Sequence, residues 1–394
     1  MLGLLTGTAA VTVDLSLPAV PAMADALSSS VSHSQWIVGI FMAGMAFGQI
    51  PAGLVSDRVG RLPVLYAGMA LFELGAIAAA IANDINLMLA ARFVQGFGAA
   101  AAIVLSRAIV RDIASGKQAA RIMSLLTMIF TAAPVIAPSI GALMILKWGW
   151  RGPFTAIVIF GFLVLIGIRT FITETHVPAA GQHPARQLAS NFREFFSHRQ
   201  SIFGLLMIIL PPIGFMSVIT VSSALIVNSY GVSVTAYGII FAGAGLSILL
   251  GSAINRVLVE HLELLQLIGL AIAIIAVAGL QFLAIMVLDQ APLWWLWGNV
   301  CLFFGGIGIL LPNATVLALD PLPKIAGVAS SIIGTIQNVS AAIGALGGAM
   351  VFTGSVRHSV ILIAFAAVAV VTVFVFRPLI CPDVVHRADT LARD

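Results

Sequence analysis

The chain has 394 residues, of which 60% are apolar and 9% are charged, and its mean hydropathy is +1.11. A soluble domain needs a charged surface, so this composition excludes one. The net charge of +4 would suit nucleic-acid binding only if the cations formed a patch on a soluble domain, and here they follow the loops between apolar runs. We therefore expect a membrane protein that lies in a lipid bilayer and binds no nucleic acid.

Apolar runs of about 20 residues recur along the chain, and each is long enough to cross ~30 Å of hydrocarbon. We predict an all-α membrane protein with twelve spanning helices. The predicted spans are 1–24, 34–55, 63–82, 86–107, 119–146, 151–172, 201–227, 236–255, 263–288, 293–318, 326–352 and 356–377. Ala22-Met23-Ala24 is like a signal-peptide cleavage site, but the first span lacks a basic leader and contains Asp14, so we interpret it as a retained helix.

Three ionisable residues fall within spans: Asp14 in the first, Glu73 in the third and Arg92 in the fourth. A charge at the bilayer centre costs about 2.5–3.5 kcal/mol on insertion scales, so such residues face protein or water and are functional by default. Asp14 and Arg92 are both near mid-depth, where opposite charges can pair. The alternative for Arg92 is a structural role on backbone carbonyls, and a packing role is the simpler interpretation of Glu73.

The segment after the second span concentrates charge in the pattern G-x-x-x-D-R-x-G-R. Its charged members are Asp57, Arg58 and Arg61, and its glycines are Gly53 and Gly60. Charge that only sets membrane topology explains neither the acid nor the glycines, so we predict a functional loop.

The fifth span carries two interleaved patterns. Ala133, Ala137 and Gly141 recur every four residues, which lets a neighbouring helix approach closely. Pro134 and Pro138 remove two backbone hydrogen bonds on one face, which bends or softens the helix. A simple kink is the alternative interpretation of the prolines.

The basic residues predict the topology. With a cytoplasmic N-terminus, Lys147, Arg151 and Arg357 fall outside and Arg92 lies within a span, whereas the other 15 of the 19 Lys and Arg residues lie on or next to the cytoplasmic side. This positive-inside bias, together with an even number of spans, places both termini in the cytoplasm.

The spans form two sets of six. We predict an N-terminal bundle at 1–172, a cytoplasmic linker at 173–200, a C-terminal bundle at 201–377 and a cytoplasmic tail at 378–394. A weak internal sequence repeat supports a duplicated six-helix unit, and therefore two bundles related by pseudo-two-fold symmetry. Its two matches pair Gly53-x-x-x-Asp57-Arg58 with Gly251-x-x-x-Asn255-Arg256, and Ile140-Gly141-Ala142-Leu143 with Ile343-Gly344-Ala345-Leu346.

The linker has apolar and basic residues at roughly helical spacing, which favours a short helix on the membrane surface. A disordered linker is the alternative. The residues that carry the pattern are Leu188, Phe192, Phe195, Phe196, Arg186, Arg193 and Arg199.

Catalytic chemistry is disfavoured. All seven histidines fall in loops or at span ends, and no cluster of His, paired carboxylates or Cys lies within a span to form a metal centre or a protease site. There is no phosphate-binding G-x-x-x-x-G-K-[ST] loop. We expect no enzyme activity, no metal and no cofactor, and energy from an ion gradient or a separate protein. Cys301 and Cys381 imply no disulfide framework.

Three motifs together resemble the signatures of twelve-helix drug:proton antiporters of the major facilitator superfamily. They are the loop after the second span, Arg92-x-x-Gln95-Gly96-x-Gly98, and Ala133-Pro134-x-x-Ala137-Pro138-x-x-Gly141. The details are most similar to the Bcr/CflA (bicyclomycin-resistance) group. The supporting segments are Asp14-Leu15-Ser16-Leu17-Pro18, Ser106-Arg107-Ala108-Ile109-Val110-Arg111-Asp112 and Leu311-Pro312-Asn313-Ala314.

The resemblance implies proton-coupled efflux of drugs or other small, largely apolar compounds by alternating access, in the bacterial cytoplasmic membrane and by a monomer. It implies that Asp57 interacts with the N-terminal end of the eleventh span, and that Arg58 and Arg61 join a charge network with Asp112. It also implies that Gly53 permits a close backbone approach and Gly60 a tight turn. Arg92 would tune proton coupling, with Asp14 as the proton-binding carboxylate of the first span.

In this fold a central cavity is lined mainly by the first, fourth, seventh and tenth spans. We expect a polar group and an apolar group of residues to line this cavity. For each residue, the alternative is that it only packs helices against one another. The polar candidates are Gln95, Asn299, Asn313, Gln337 and Asn338; the apolar ones are Phe97, Met216, Trp297 and Phe303.

Two other functions remain open. A proton-driven metabolite importer would need charged cavity residues that match a polar substrate, and none are evident in the sequence. A non-transporting membrane sensor would not require Asp14, Arg92 or the loop motif, all of which are present.

Overall fold

The computed structural model describes residues 1–114, 116–176, 184–288 and 291–381. Twelve long helices dominate this part of the chain. They are α1 (Leu2–Ala26), α2 (Val31–Val59), α3 (Arg61–Ile81), α4 (Ile85–Ile113), α5 (Gly116–Trp148), α6 (Arg151–Phe171), α7 (Arg199–Ser229), α8 (Val234–Leu258), α9 (Leu264–Leu288), α10 (Leu293–Leu319), α11 (Ala326–Val351) and α12 (Val356–Val375). Each contains or largely overlaps one predicted span, so the predicted all-α membrane fold is confirmed.

Eleven of these helices are long and apolar enough to cross a membrane, judged over the described residues. In α5 the described apolar stretch is Ala132–Trp148. Several helices are longer than predicted because their capping residues lie beyond the apolar run. The side chains that cap α2, α4, α8 and α12 each accept a backbone N–H three residues later. They are Ser30, Asp84, Ser233 and Ser355.

Two helices are irregular within their length. In α1 the α-helix gives way to a 3₁₀ turn at Leu17–Ala19. Pro18 lies in this turn, where its missing N–H interrupts the regular hydrogen bonding. In α7 the last six residues, Ala224–Ser229, form a π-helix. The first irregularity begins three residues after Asp14 and therefore shapes the surroundings of that acid.

The first six helices, the N-terminal half, pack against one another through glycines. A Cβ on Gly44 or Gly48 of α2 would overlap the backbone of α4 around Phe97, so only glycine permits this spacing. In contrast, a Cβ on Gly53 would lie 3.8 Å from Val104, an ordinary van der Waals distance. The close approach predicted at Gly53 is therefore wrong, and it occurs one and two turns earlier in the same helix.

The last six helices, the C-terminal half, meet the N-terminal half mainly through α2 with α11 and α5 with α8. Along the first pair, Ser32 donates a hydrogen bond to the Ala349 carbonyl, and Thr335 donates one to Gln49 Oε1 at 3.2 Å. Two helix pairs therefore join the halves. The predicted domain boundaries themselves remain predictions.

The linker contains a helix, Pro184–Ser197, that contacts α2, α7 and α11. Its Phe195 is fully buried, so the helix is docked on the bundle rather than resting only on a lipid surface. The predicted linker helix is confirmed and the disordered alternative is wrong for this segment. Residues 177–183, 382–394 and the side chain of Leu188 lie outside the described part.

Candidate functional site

Arg61 is the hub of an ionic cluster where α2 ends and α3 begins. Its Nε donates to Asp112 Oδ2 at 3.0 Å, and its Nη1 donates to Ser56 Oγ at 2.8 Å and to Asp57 Oδ1 at 2.5 Å. Arg61 is only 7% exposed, so its charge needs these partners. The cluster ties the ends of α2 and α4 to the start of α3. Arg58 is exposed and forms no hydrogen bond with a described residue.

Glu174 completes this cluster, and sequence reasoning missed it. Its Oε1 accepts the backbone N–H of Arg61 and its Oε2 accepts that of Leu62, each at 2.9 Å. A carboxylate at this position caps α3 and complements the helix dipole. No local pattern reveals the pairing, because Glu174 follows α6 and is 113 residues from Arg61. We call Asp57, Arg61, Asp112 and Glu174 the charged end of the bundle.

The carboxylate of Glu174 is stabilised in its ionised form. Partial burial acts to raise the pKa of Glu174, but hydrogen bonds from four backbone N–H groups outweigh it and hold the pKa below the usual 4.5. A depressed pKa contributes stability that is present above about pH 4.5 and is lost as the pH falls through the folded value. We expect Glu174→Gln to lower the thermal unfolding midpoint at pH 7, with the difference from wild type shrinking below pH 4.5. Unfolding scans at pH 7 and pH 4 measure this, and a constant difference would contradict it.

Gly60 forms the tight turn between α2 and α3. Its φ is +101°, a conformation that side chains rarely adopt, and a Cβ there would lie 2.7 Å from Glu174 Oε2. We expect Gly60→Ala to destabilise the protein by about 1–3 kcal/mol and to disturb the charged end. Gly149→Ala is the matched control, because Gly149 also has a positive φ, of +65°, with nothing within 4 Å of its Cβ position. Equal unfolding midpoints for the two variants would argue against the Glu174 contact.

The predicted contact of Asp57 with the start of α11 involves residues that are only partly described. The side chains of Lys324 and Ala326 and the surroundings of Gly327 lie outside the described part. Asp57 itself is 52% exposed at its side chain and binds Arg61. The contact therefore stays a prediction.

Asp14 lies near a junction of both halves. Asp14 is 5% exposed, and it forms no hydrogen bond or ion pair with any described residue. The backbone of the next residue, Leu15, contacts Gly141 of α5, and the turn Leu17–Ala19 contacts α8. An unpartnered acid thus lies where α1 meets α5, close to α8 of the opposite half.

The motif of α5 forms much of the contact between α5 and α8. A Cβ on Gly238 of α8 would lie 2.8 Å from Ser139 Cα, and one on Gly245 would lie 3.0 Å from the Pro134 carbonyl carbon. Small residues on both helices therefore allow their backbones to touch. The described members that are buried here are Ala133, Ala137, Pro138 and Gly141.

Arg92 is fully buried within the N-terminal half and does not pair with Asp14. It donates to Gln95 Oε1 at 2.8 Å and to Ser16 Oγ at 3.4 Å, and its guanidinium lies 4.7 Å from the ring centroid of Phe41. In the described part, both ion pairs involve Arg61. The predicted Asp14–Arg92 pair is therefore wrong in this conformation, because uncharged oxygens and an aromatic ring satisfy the arginine.

These contacts favour the structural interpretation of Arg92, and its role in proton coupling stays a prediction. We expect Arg92→Ala to lower the thermal unfolding midpoint by about 5 °C or more, because it leaves a cavity and unpairs Gln95. The pH profile of transport should stay in place, since Arg92 has no direct contact with Asp14. Measuring both quantities on one purified preparation tests this. A displaced pH profile with an unchanged unfolding midpoint would instead support the proton-coupling role of Arg92.

Glu73 lies between α3 and α6. It is 4% exposed, neither carboxyl oxygen has a hydrogen-bond partner among the described residues, and a Cβ on Gly161 of α6 would overlap its Oε2. Gly161 thus makes room for the acid. Glu73 is away from the contacts between halves, in agreement with the packing interpretation.

The predicted cavity residues divide into two groups. Asn299 donates to the Ala278 carbonyl and Asn313 to Asn255 Oδ1, so both are buried within the C-terminal half. The buried candidates, which are Gln95, Asn299, Asn313, Trp297 and Phe303, are enclosed by packing in this conformation, and their place in a central cavity stays a prediction. The partly exposed candidates are Phe97, Met216, Gln337 and Asn338.

Comparison with known families supplies the assignment. The model of the Major Facilitator Superfamily matches residues 2–345. The chain belongs to the major facilitator superfamily. Members of this superfamily and the relatives below are transporters, so this is a multi-pass membrane transporter and not an enzyme.

The relatives narrow the group within the superfamily. The bicyclomycin resistance protein homolog of Haemophilus influenzae is 30% identical over 352 residues, which cover 89% of this chain and 87% of that protein. Multidrug resistance protein MdtL of Escherichia coli is 30% identical over 328 residues, covering 82% and 81%. These matches confirm the resemblance to the Bcr/CflA-like group. A solved D-xylose-proton symporter shares the fold, with a TM-score of 0.76, 16% identity and 95% coverage of both chains.

Proposed function

We propose that this transporter exports drug-like, largely apolar small molecules in exchange for protons, by alternating access. The observation that carries the proposal is Asp14: a buried acid with no described partner, near the junction of α1 and α5 with α8 of the other half. The names of the bicyclomycin- and multidrug-resistance relatives support export of drugs.

The chemistry of Asp14 suits proton coupling. An ionised carboxylate in an apolar site is costly, so Asp14 is stable there when protonated and needs water when it is ionised. Rocking of the halves changes its exposure to water at the α5–α8 contact. Protonated and ionised Asp14 then favour different conformations, and the proton gradient biases the cycle.

The charged end suits a gate on the cytoplasmic side. Arg61 and Glu174 link α2, α3, α4 and the chain after α6, so these elements move together as a unit. The positive-inside bias supports cytoplasmic termini in a bacterial inner membrane. We further propose that the protein acts as a monomer without a cofactor, with protons and the substrate as its ligands.

A dye-accumulation assay tests the proposal. Cells that lack their own drug pumps should accumulate less of an apolar dye when they express the protein, and an uncoupler should restore accumulation to the control level. Cells that express Asp14→Asn serve as the matched control and should behave like cells without the protein. Lower accumulation that persists with uncoupler would exclude proton coupling, and higher accumulation on expression would indicate import.

A further inference from the structure

Arg107 of α4 faces the opposite half of the transporter. Its Nη1 lies 3.9 Å from the position that a Cβ on Gly334 of α11 would occupy. Gln49 Oε1 of α2 lies 3.8 Å from the same position, and no other atom is nearer. Two polar groups of the N-terminal half therefore lie at van der Waals distance from the Gly334 position of α11, and we call this meeting point of the two halves the notch.

The guanidinium of Arg107 has no hydrogen-bond or ion-pair partner in the described part of the chain. Its side chain is exposed, and it forms no hydrogen bond or ion pair with a described residue. The buried arginines differ, because Arg61 binds two carboxylates and Arg92 binds Gln95 and Ser16. Arg111 lies one turn away and adds a second positive charge. Arg107 thus presents donors and positive charge without a hydrogen-bonded or ion-paired counterion among the described residues, whereas Asp57 and Asp112 lie near Arg111.

Partly exposed amide side chains continue the notch along α11. Asn338 is four residues after Gly334 and so lies on the same helix face, and Gln337 adjoins it. A ligand in this crevice would therefore meet a cation and amides on opposite walls. Its apolar body would extend toward the partly exposed Phe97 side of α4, as in ligand pockets that combine apolar walls with a few polar groups.

We propose that Arg107 is a substrate-binding residue for the anionic group of an amphipathic organic substrate, such as a carboxylate, sulfonate or phosphate. A guanidinium with five unused donors matches these groups in bidentate geometry. This proposal rests on the proposed export function, because only a transported ligand is a substrate. An anionic lipid headgroup has the same chemistry, so the experiment distinguishes the two sources.

The test compares one aromatic body with and without charge. Equilibrium dialysis measures the binding of 2-naphthoate and of uncharged 2-naphthylmethanol to the full chain in phosphatidylcholine nanodiscs, corrected with empty nanodiscs. We expect Arg107→Ala to weaken 2-naphthoate binding about 10-fold or more and to leave 2-naphthylmethanol within about twofold. Arg107→Lys should retain part of the preference for 2-naphthoate over 2-naphthylmethanol. Arg169→Ala is the matched control, because it removes an exposed cation near the end of α6. It should leave the binding of both ligands unchanged.

Three results would overturn the proposal. Wild-type protein that binds both naphthalenes equally would show no anion site. Equal losses for both ligands in Arg107→Ala would indicate a structural role. Loss of naphthoate binding to wild type when phosphatidylglycerol is added to the nanodiscs would assign Arg107 to a lipid headgroup.

The failures of the site and of the export function are distinguishable. If Arg107-dependent naphthoate binding is found but cells show no uncoupler-sensitive efflux of any dye, the export function fails and the anion site stands. If an uncharged dye is exported but Arg107→Ala binds naphthoate as well as wild type does, the anion site is refuted and the export function stands.

Discussion

Asp14→Asn is expected to abolish substrate-induced proton movement in proteoliposomes. Asparagine keeps the size of the side chain but cannot bind and release a proton, so the two conformations lose the difference in energy that protonation supplies. Asp14 has no described hydrogen-bond partner that the amide would leave unpaired. The variant should therefore fold, and it should still bind and exchange substrate passively. A pH-sensitive dye trapped in the vesicles records the proton movement.

Glu73→Gln provides the control for this experiment. Glu73 is also a buried acid without a hydrogen-bond partner in the described part of the chain, but it lies against Gly161 and away from the contacts between halves. We expect its replacement to leave coupled transport within about twofold of wild type, because a buried neutral carboxyl and an amide have similar size and polarity. If Glu73→Gln stopped proton movement while Asp14→Asn left it running, the proton site would belong to α3.

Asp57→Asn is expected to abolish transport while expression and folding stay near wild type. The substitution removes the charge that Arg61 Nη1 contacts at 2.5 Å but leaves Asp112 and Glu174 in place. The buried arginine then lacks one of its two carboxylates, so the linked movement of α2, α3 and α4 is disturbed. Because the Asp57 side chain is 52% exposed, the cost to stability should be small. Efflux rate and thermal unfolding midpoint, measured on the same variant, separate the two effects.

Asp25→Asn is the control for Asp57→Asn, because Asp25 is an exposed acid at the far end of α1 and belongs to no described ion pair. It should leave efflux unchanged. Export at the wild-type rate by Asp57→Asn would remove the gating role from the charged end. Loss of folded protein in Asp57→Asn would assign the acid to stability instead.

The candidate site was predictable from sequence only where its parts are local. Asp57, Gly60 and Arg61 lie within five residues, and their spacing predicts a charged turn that the structure contains. Glu174 belongs to the same cluster but lies 113 residues from Arg61, so no spacing reveals it. The reverse holds for Asp14 and Arg92. Their opposite charges at similar depth predict a pair, yet Ser16, Gln95 and an aromatic ring satisfy the arginine.

The sequence by itself determined the fold class and the spans. A bilayer requires about 20 apolar residues for each crossing helix, so a one-dimensional pattern is enough to find them. Only the tertiary structure decided which polar groups meet, because that depends on how helices rotate and slide against one another. Glycines that let two helix backbones touch fix those rotations. Gly44 of α2 does so against α4, and Gly238 of α8 does so against α5. They bury Asn299 and Asn313 inside one half and leave Arg107 facing the other.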